Sequence, residues 1–463
     1  MDRLSTLDAA FLEIEDADPR ASLAIASVAV LEGPPPSRDE FTASVGTRLA
    51  AVPRARQKVR RVPWDLGLPL WVDDPEFDLS YHLRRTALPA PGDDRALTDL
   101  VARIMAQRLD RDRPLWENWV VEGLAGGRWA MLTKVHHCLV DGVAGTRLYS
   151  AVFDDSAPPA PDELVPRSAP GAVQLLARAL VDLAVNPVEQ ARLLLQLPAR
   201  LAGHVTDTVK GVAALAGALV PVRASSLSGP IGVPRRYRVT RVALPDVVGV
   251  GKRFGVTVND VVLAAITTGF RALLLHRGET PTADSVRTMV PVSVRTTDDL
   301  DNQVSVLLPF LPVELDDPVD VLREVHERTR KLKADKESEA GAALTALAGH
   351  EPHAPLSWGI RLVGALPQRT VVTVTTNVPG PPVPVRVLGR PIVDILPYVP
   401  IALRLRTGVA VLSYAGTLAI GITADYDSTP DIDLLVGTVE STVKSFIVSA
   451  ALVDPAPSIR AGG

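Results

Sequence analysis

Two adjacent histidines are followed, four residues after the second, by an aspartate and a glycine, in the run Val135-His136-His137-Cys138-Leu139-Val140-Asp141-Gly142. These residue types suit proton transfer. Unperturbed imidazole titrates at about 6.5, so it can take a proton from a hydroxyl and return it to a leaving group near neutrality. Asp141 followed by Gly142 makes a tight turn able to fix the loop behind the base. We read HHxxxDG as the base of an acyl-transfer site. The plainer reading of such a pair is one core histidine and one surface histidine. No metal site is expected: neighbouring side chains on a strand end point apart, and no third ligand stands at zinc-site spacing. Cys138 is a weak candidate nucleophile, because activation depends on spatial rather than sequential neighbours.

The pair needs an element to aim it. Trp129 to Val135 is an apolar, strand-like run, and Val143 to Phe153 reads as a helix, so the pair sits at a strand end. Upstream lie a helix from Leu7 to Ile14, a strand from Leu23 to Leu31, and a helix from Glu40 to Ala50 capped by Ser37 or Asp39. Trp71-Val72 reads as a short strand, and His82 as a surface or packing residue. Apolar spacing predicts a helix over Asp94 to Leu109, stopped by Pro114, with Leu115 and Trp116 buried against a strand at Trp119 to Glu122.

After the motif, prolines from Pro158 to Pro170 rule out regular structure. Residues 171–220 show amphipathic helix spacing, which suits packing between domains or contact with lipid. The second half alternates again. Strands are expected at 236–244, 287–294, 304–313, 371–376, 385–387, 391–396, 402–405, 409–415 and 417–425, with helices at 245–254, 258–276, 318–340 and 432–451. Both halves mix strands and helices in a similar order. The expected organisation is two α/β domains, 1–155 and 231–463, joined by a linker and helical crossover at 156–230, with a ligand cleft between them.

Composition narrows the function. The chain has 463 residues, 47% of them hydrophobic, enough for a large core, and its net charge of -4 does not suit a nucleic-acid binder. The single cysteine cannot form an intramolecular disulfide, which fits a reducing compartment. The N-terminal residues lack the basic start and apolar core of a signal peptide, and no uninterrupted apolar run reaches about 18 residues. A cytosolic protein is expected, free or resting on the cytosolic side of a membrane.

Four further stretches matter together. They are Asp112-Arg113-Pro114-Leu115-Trp116, Thr257-Val258-Asn259-Asp260-Val261, Met289-Val290-Pro291-Val292-Ser293-Val294-Arg295, and Thr375-Thr376-Asn377-Val378-Pro379-Gly380-Pro381. Taken alone, Asn259-Asp260 reads as a capped helix start and Asn377-Val378-Pro379-Gly380 as a β-turn after a strand. In this order and spacing, with Leu4-Ser5-Thr6-Leu7-Asp8 and Gly229-Pro230-Ile231-Gly232, they resemble the bacterial wax ester synthase/diacylglycerol acyltransferase family over nearly the whole chain. HHxxxDG alone also suits chloramphenicol acetyltransferase, condensation domains and plant acyltransferases, but the plant DFGWG motif is absent.

The resemblance implies two chloramphenicol-acetyltransferase-like domains forming a pseudo-dimer with a central substrate tunnel. It implies His137 as general base, within a catalytic motif of His136, His137 and Asp141, supported by Gly142, Asn259 and Asp260. Arg295 is the expected ion-pair partner of Asp141. Pro114, Leu115, Trp116, Asn377, Pro379 and Gly380 are pocket candidates, with Asn377 or a backbone N–H near Gly380 as oxyanion donor. The implied substrates are acyl-CoA and either diacylglycerol or a long-chain alcohol, with no cofactor, and the implied setting is the cytoplasm, a membrane's inner face or a lipid droplet. An inactive lipid-binding relative and an enzyme using a carrier-bound thioester are the rival readings.

Overall fold

The computed structural model describes residues 2–49, 52–63, 67–139, 171, 222–294, 303–348 and 370–452, with side chains described throughout these except at 292–294, 303–305 and 335–348. The expected helices at 143–153 and 171–220 and the proline linker lie outside the described residues.

The first half opens with α1 (Thr6–Ala17), whose N-terminus is capped by Ser5. β1 (Ala24–Leu31) follows. Of the two caps considered for α2 (Arg38–Leu49), the structure uses Ser37: Glu40 N–H donates to Ser37 Oγ at 3.1 Å, and Ser37 N–H donates back to the Glu40 carboxylate at 3.3 Å. This reciprocal pair is a capping box. Then come β2 (Gln57–Arg60), β3 (Leu70–Asp73), α3 (Leu79–His82), β4 (Leu83–Ala87), α4 (Asp94–Ala106), β5 (Trp116–Leu124) and β6 (Arg128–His136).

α4 ends at Ala106, well before Pro114, with a buried side chain on its last carbonyls. Lys134, buried on β6, donates from Nζ to Ile104 O at 3.0 Å and Gln107 O at 2.7 Å. A cation on the last carbonyls satisfies acceptors that the helix cannot and complements its dipole. β5 begins at Trp116, earlier than the apolar spacing suggested.

The second half holds β7 (Arg235–Ala243), α5 (Leu244–Phe254), α6 (Val258–His276), β8 (Thr288–Val294), β9 (Gln303–Leu307), α7 (Pro318–Ala348) and β10 (Thr373–Pro379). After these come β11 (Arg386–Val387), β12 (Arg390–Tyr398), β13 (Thr407–Tyr414), β14 (Thr417–Asp425) and α8 (Ile432–Leu452). No strand forms at 402–405, where Leu403 and Arg404 take positive φ values of 51° and 66° and the chain turns.

The result is α/β, built on two six-stranded sheets of order β11-β12-β1-β6-β5-β4 and β7-β14-β13-β10-β8-β9. Residues 386–398 follow β10 of the second sheet in the chain, yet they lie in the first, where β12 runs antiparallel to β1 from Ala26↔Tyr398 to Leu31↔Ile392. β6 is thus flanked by β1 and β5 in the interior of its sheet, and all its residues but Arg128 are buried.

The halves touch closely. Tyr237 Oη on β7 donates to Pro397 O on β12 at 2.6 Å. A Cβ at Gly421 would stand 2.2 Å from the same carbonyl, so only glycine permits this approach of β14 to β12. Arg238 bridges Asp99 at 2.7 Å and Asp433 at 2.9 Å. Helices α6 and α8 are each long and apolar enough to span a bilayer, but the most apolar stretch of α6 is 72% buried. It packs on α8, with the Thr268 and Thr442 hydroxyls 2.8 Å apart.

Candidate active site

β6 delivers the histidine pair. The His136 N–H donates to Leu115 O at 2.9 Å and the His137 N–H to Leu23 O at 3.1 Å, so the neighbouring chain on each side holds the pair's backbone. The His136 ring is buried and engaged at both nitrogens. Nδ1 accepts the Cys138 N–H at 3.2 Å, and Nε2 lies 2.5 Å from Glu15 Oε2. With Nδ1 the acceptor, Nε2 carries the proton and donates it to the carboxylate. Burial holds the His136 pKa below the usual histidine range, against the pull of Glu15. Burial also works to raise the Glu15 carboxyl, but the bond from His136 and the charges of Arg111 and Arg108 outweigh it and hold it low. Arg111 Nη2 is 2.9 Å from Glu15 Oε2. His136 is therefore a neutral imidazole anchored on a carboxylate, with both ring nitrogens engaged.

His137 opens a short 3₁₀ turn, His137–Leu139, and its side chain is only half-buried. Its ring lies against Phe11, with centroids 3.9 Å apart and planes tilted by 31°. Phe11 and Glu15 are four residues apart on α1, so they share one helix face. One residue meets each histidine. The pair thus combines the two sequence readings, a core histidine beside a more exposed one able to meet substrate. Burial pushes the Cys138 thiol well up, which keeps it protonated and non-nucleophilic.

Pro114, Leu115 and Trp116 are all buried directly beneath this strand end. The Trp116 Nε1–H donates to Ala55 O at 2.8 Å. His82 proves to be a packing residue: fully buried, it stacks on Trp116 at 4.4 Å and binds Trp116 O through Nδ1 at 2.8 Å. The three residues of the Pro-Leu-Trp stretch support the backbone that carries the histidines.

In the second half, Asp260 is a buried hub. Its Oδ2 accepts Thr257 N–H at 2.9 Å and lies 2.9 Å from His326 Nδ1, while Oδ1 accepts the Thr329 hydroxyl at 2.9 Å. Burial alone would raise its carboxyl, but these bonds, His326 first, hold it low. The Asn259-Asp260 stretch therefore caps α6 and ties it to α7, with Asn259 half-buried beside it.

Asn377 lies within β10, not in a β-turn, because the parallel pairing with β13 continues through Pro379↔Ser413. Gly380 approaches Ser413 so closely that a Cβ would stand 2.3 Å from its carbonyl oxygen. The Gly380 N–H points to Ser413 Oγ at 3.3 Å, so that candidate oxyanion donor already has a partner. Asp141, Gly142 and Arg295 lie outside the described residues, and with them the expected Asp141–Arg295 pair.

Sequence reading missed Glu15, Phe11, Arg111, His326 and Thr329. Phe11 and Glu15 share helical spacing, but only Phe11 falls within the expected helix, and nothing local ties either to the histidines. Arg111, His326 and Thr329 gave no signal, because their partners are far away in sequence.

A half-buried histidine at a strand end, beside a buried imidazole–carboxylate pair on an α/β scaffold, is an arrangement suited to general-base chemistry. Comparison with known proteins gives the family. The wax ester synthase/diacylglycerol acyltransferase catalytic domain matches residues 4–262, and the WS/DGAT C-terminal domain matches residues 300–446. A protein of Mycobacterium tuberculosis named probable diacyglycerol O-acyltransferase tgs1 is 45% identical over 450 residues, 96% of each chain. The chain belongs to the wax ester synthase/diacylglycerol acyltransferase family. A second M. tuberculosis protein, putative diacyglycerol O-acyltransferase Rv3371, is 37% identical over 96% of this chain and 91% of its own. The solved wax ester synthase/diacylglycerol acyltransferase of Marinobacter aquaeolei VT8 shares the fold at a TM-score of 0.69 and 24% identity, covering 98% of this chain and all of that one. The first condensation domain of the calcium-dependent antibiotic synthetase shares it at 0.56 and 18% identity, with 98% of each chain covered.

Proposed function

We propose that the protein transfers a long-chain acyl group from acyl-CoA to diacylglycerol, giving triacylglycerol and free CoA. The observation that carries the base assignment is the contrast between the two histidines: both nitrogens of His136 are occupied, while His137 is the half-buried one. His137 takes the proton of the acceptor hydroxyl. The oxygen attacks the thioester carbonyl, the carbon–sulfur bond breaks, and the proton passes to the departing thiolate. No acyl-enzyme is needed, because one base serves both substrates. General base catalysis contributes about 10²–10⁴-fold, and an oxyanion donor about 2.7–4 kcal/mol.

The two substrates meet His137 in a tunnel between the halves, acyl-CoA entering from one side and the acceptor from the other. Asp141 fixes the loop through an ion pair with Arg295. A charge exchange, Asp141→Arg with Arg295→Asp, restores activity lost in either single variant if this pairing holds. The proposed place of action is the cytosolic face of a membrane or a lipid droplet, where diacylglycerol resides.

The test offers palmitoyl-CoA to purified protein with diacylglycerol and hexadecanol in separate reactions, and resolves the lipids formed. Triacylglycerol as the main product supports the proposal. Wax ester alone reassigns the acceptor, and no ester from folded protein rejects acyl-CoA as donor.

A further inference from the structure

One row of the first sheet is polar where its neighbours are apolar. Ser27 on β1 and Asn118 on β5 are both register partners of Thr133 on β6. Register partners point to one face with Cβ atoms about 4.5–5.5 Å apart, so the three side chains form a continuous line. The rows on either side are Ile25–Val135–Trp116 and Ala29–Met131–Val120. Ser27 and Asn118 are 1% exposed and Thr133 is 2% exposed. Ser27 Oγ, Thr133 Oγ1 and Asn118 Oδ1 find no hydrogen-bond partner among the described residues.

Buried polar groups in native proteins are nearly always satisfied, and a side chain in a dry apolar layer would not favour three such groups in register. Serine, threonine and asparagine are also shorter than the Trp116 and Met131 that flank them, which leaves depth above the row. Met131, in the next row, lines one small cavity with Phe41, Val45 and Leu49, so α2 covers this face of the sheet at that row. A fourth polar atom lies close by. His82 Nε2 is buried without a partner among the described residues, and its ring stacks on Trp116, two residues before Asn118 on the same face.

We propose that Ser27, Thr133 and Asn118 form a closed binding site for ordered water between the first sheet and its α2 layer. A water with two to four polar partners satisfies the row and links three adjacent strands. The central strand of the three is the one that ends in His136 and His137. The site is independent of which ester the enzyme makes.

The test is a crystal structure of the full chain together with melting curves of Thr133→Val and Ser27→Ala. Expected are water density within hydrogen-bond reach of Thr133 Oγ1 and Ser27 Oγ, and a melting temperature about 2 °C lower in each variant. An isosteric methyl in a dry row removes an unsatisfied hydroxyl and is neutral or stabilising. Unchanged or higher melting temperatures in both variants, or an absence of density in the row, overturns the proposal. Ser27→Ala keeps the test decisive should Thr133→Val fail to fold.

Discussion

At the scale of single residues, the adjacent histidines of one motif sit in different surroundings. His136 is locked between Cys138 N–H and Glu15, while His137 is half-buried against Phe11. Glu15→Ala removes the acceptor from a buried N–H and a partner from Arg111. The expected cost is about 1.5–3 kcal/mol, as for a hydrogen bond to a charged group. Urea unfolding measures it, and because Glu15 acts through His136, kcat should fall more than KM changes. An unaltered kcat would separate Glu15 from the site. The histidine motif itself was legible in the sequence, because strand and turn signals bracket it. Its carboxylate anchor was not, because Glu15 stands 121 residues away and only the closure of α1 over β6 brings it there.

At the scale of elements, long apolar runs read well and their ends did not. α6 was legible to the residue because Thr257 and Asp260 form its capping box and its apolar run is uninterrupted by breakers. The end of α4 was illegible because the lysine that meets its last carbonyls comes from β6, about thirty residues on in the chain. Lys134→Met should remove the cation from two carbonyls, leaving Ile104 O to the Gln107 N–H and Gln107 O to the Ser22 hydroxyl, and lower stability by about 1 kcal/mol, read by chemical denaturation. β10 outran its apolar segment because parallel pairing with β13 carries Asn377 to Pro379 in extended form. Close approach has a similar hidden character. Gly421→Ala would force β14 from β12 and should cost about 1–3 kcal/mol by overpacking, visible as a lower melting temperature.

At the scale of the whole molecule, the two halves are completed by each other. The first sheet takes β11 and β12 from a stretch that follows β10 of the second, a crossover that no local pattern announces. A fragment ending at residue 369 would lack both strands, together with β10, β13, β14 and α8, and leave β1 as a long apolar edge. It should be insoluble or aggregate, as size-exclusion chromatography would show; a stable monomer would contradict the shared-sheet account. The buried titratable groups set a common pH response. His136 stays neutral when folded but protonates below about 6.5 when unfolded, so the unfolded chain binds more protons and stability falls as pH drops from there. Glu15 and Asp260, held low when folded, contribute stability above their ordinary values of 4.5 and 3.8 and lose it as pH falls through their folded values. Melting temperature should therefore decline from pH 7 toward pH 4, and a rise over that range would reverse the assignment.

The most direct measurement of the central claim is kcat/KM for acyl transfer from palmitoyl-CoA by His137→Ala beside the unaltered protein, with melting curves of both. The expected result is a loss of about 10²–10⁴-fold with the fold retained, the share of a general base. Activity within a few fold of the unaltered protein would place the base elsewhere.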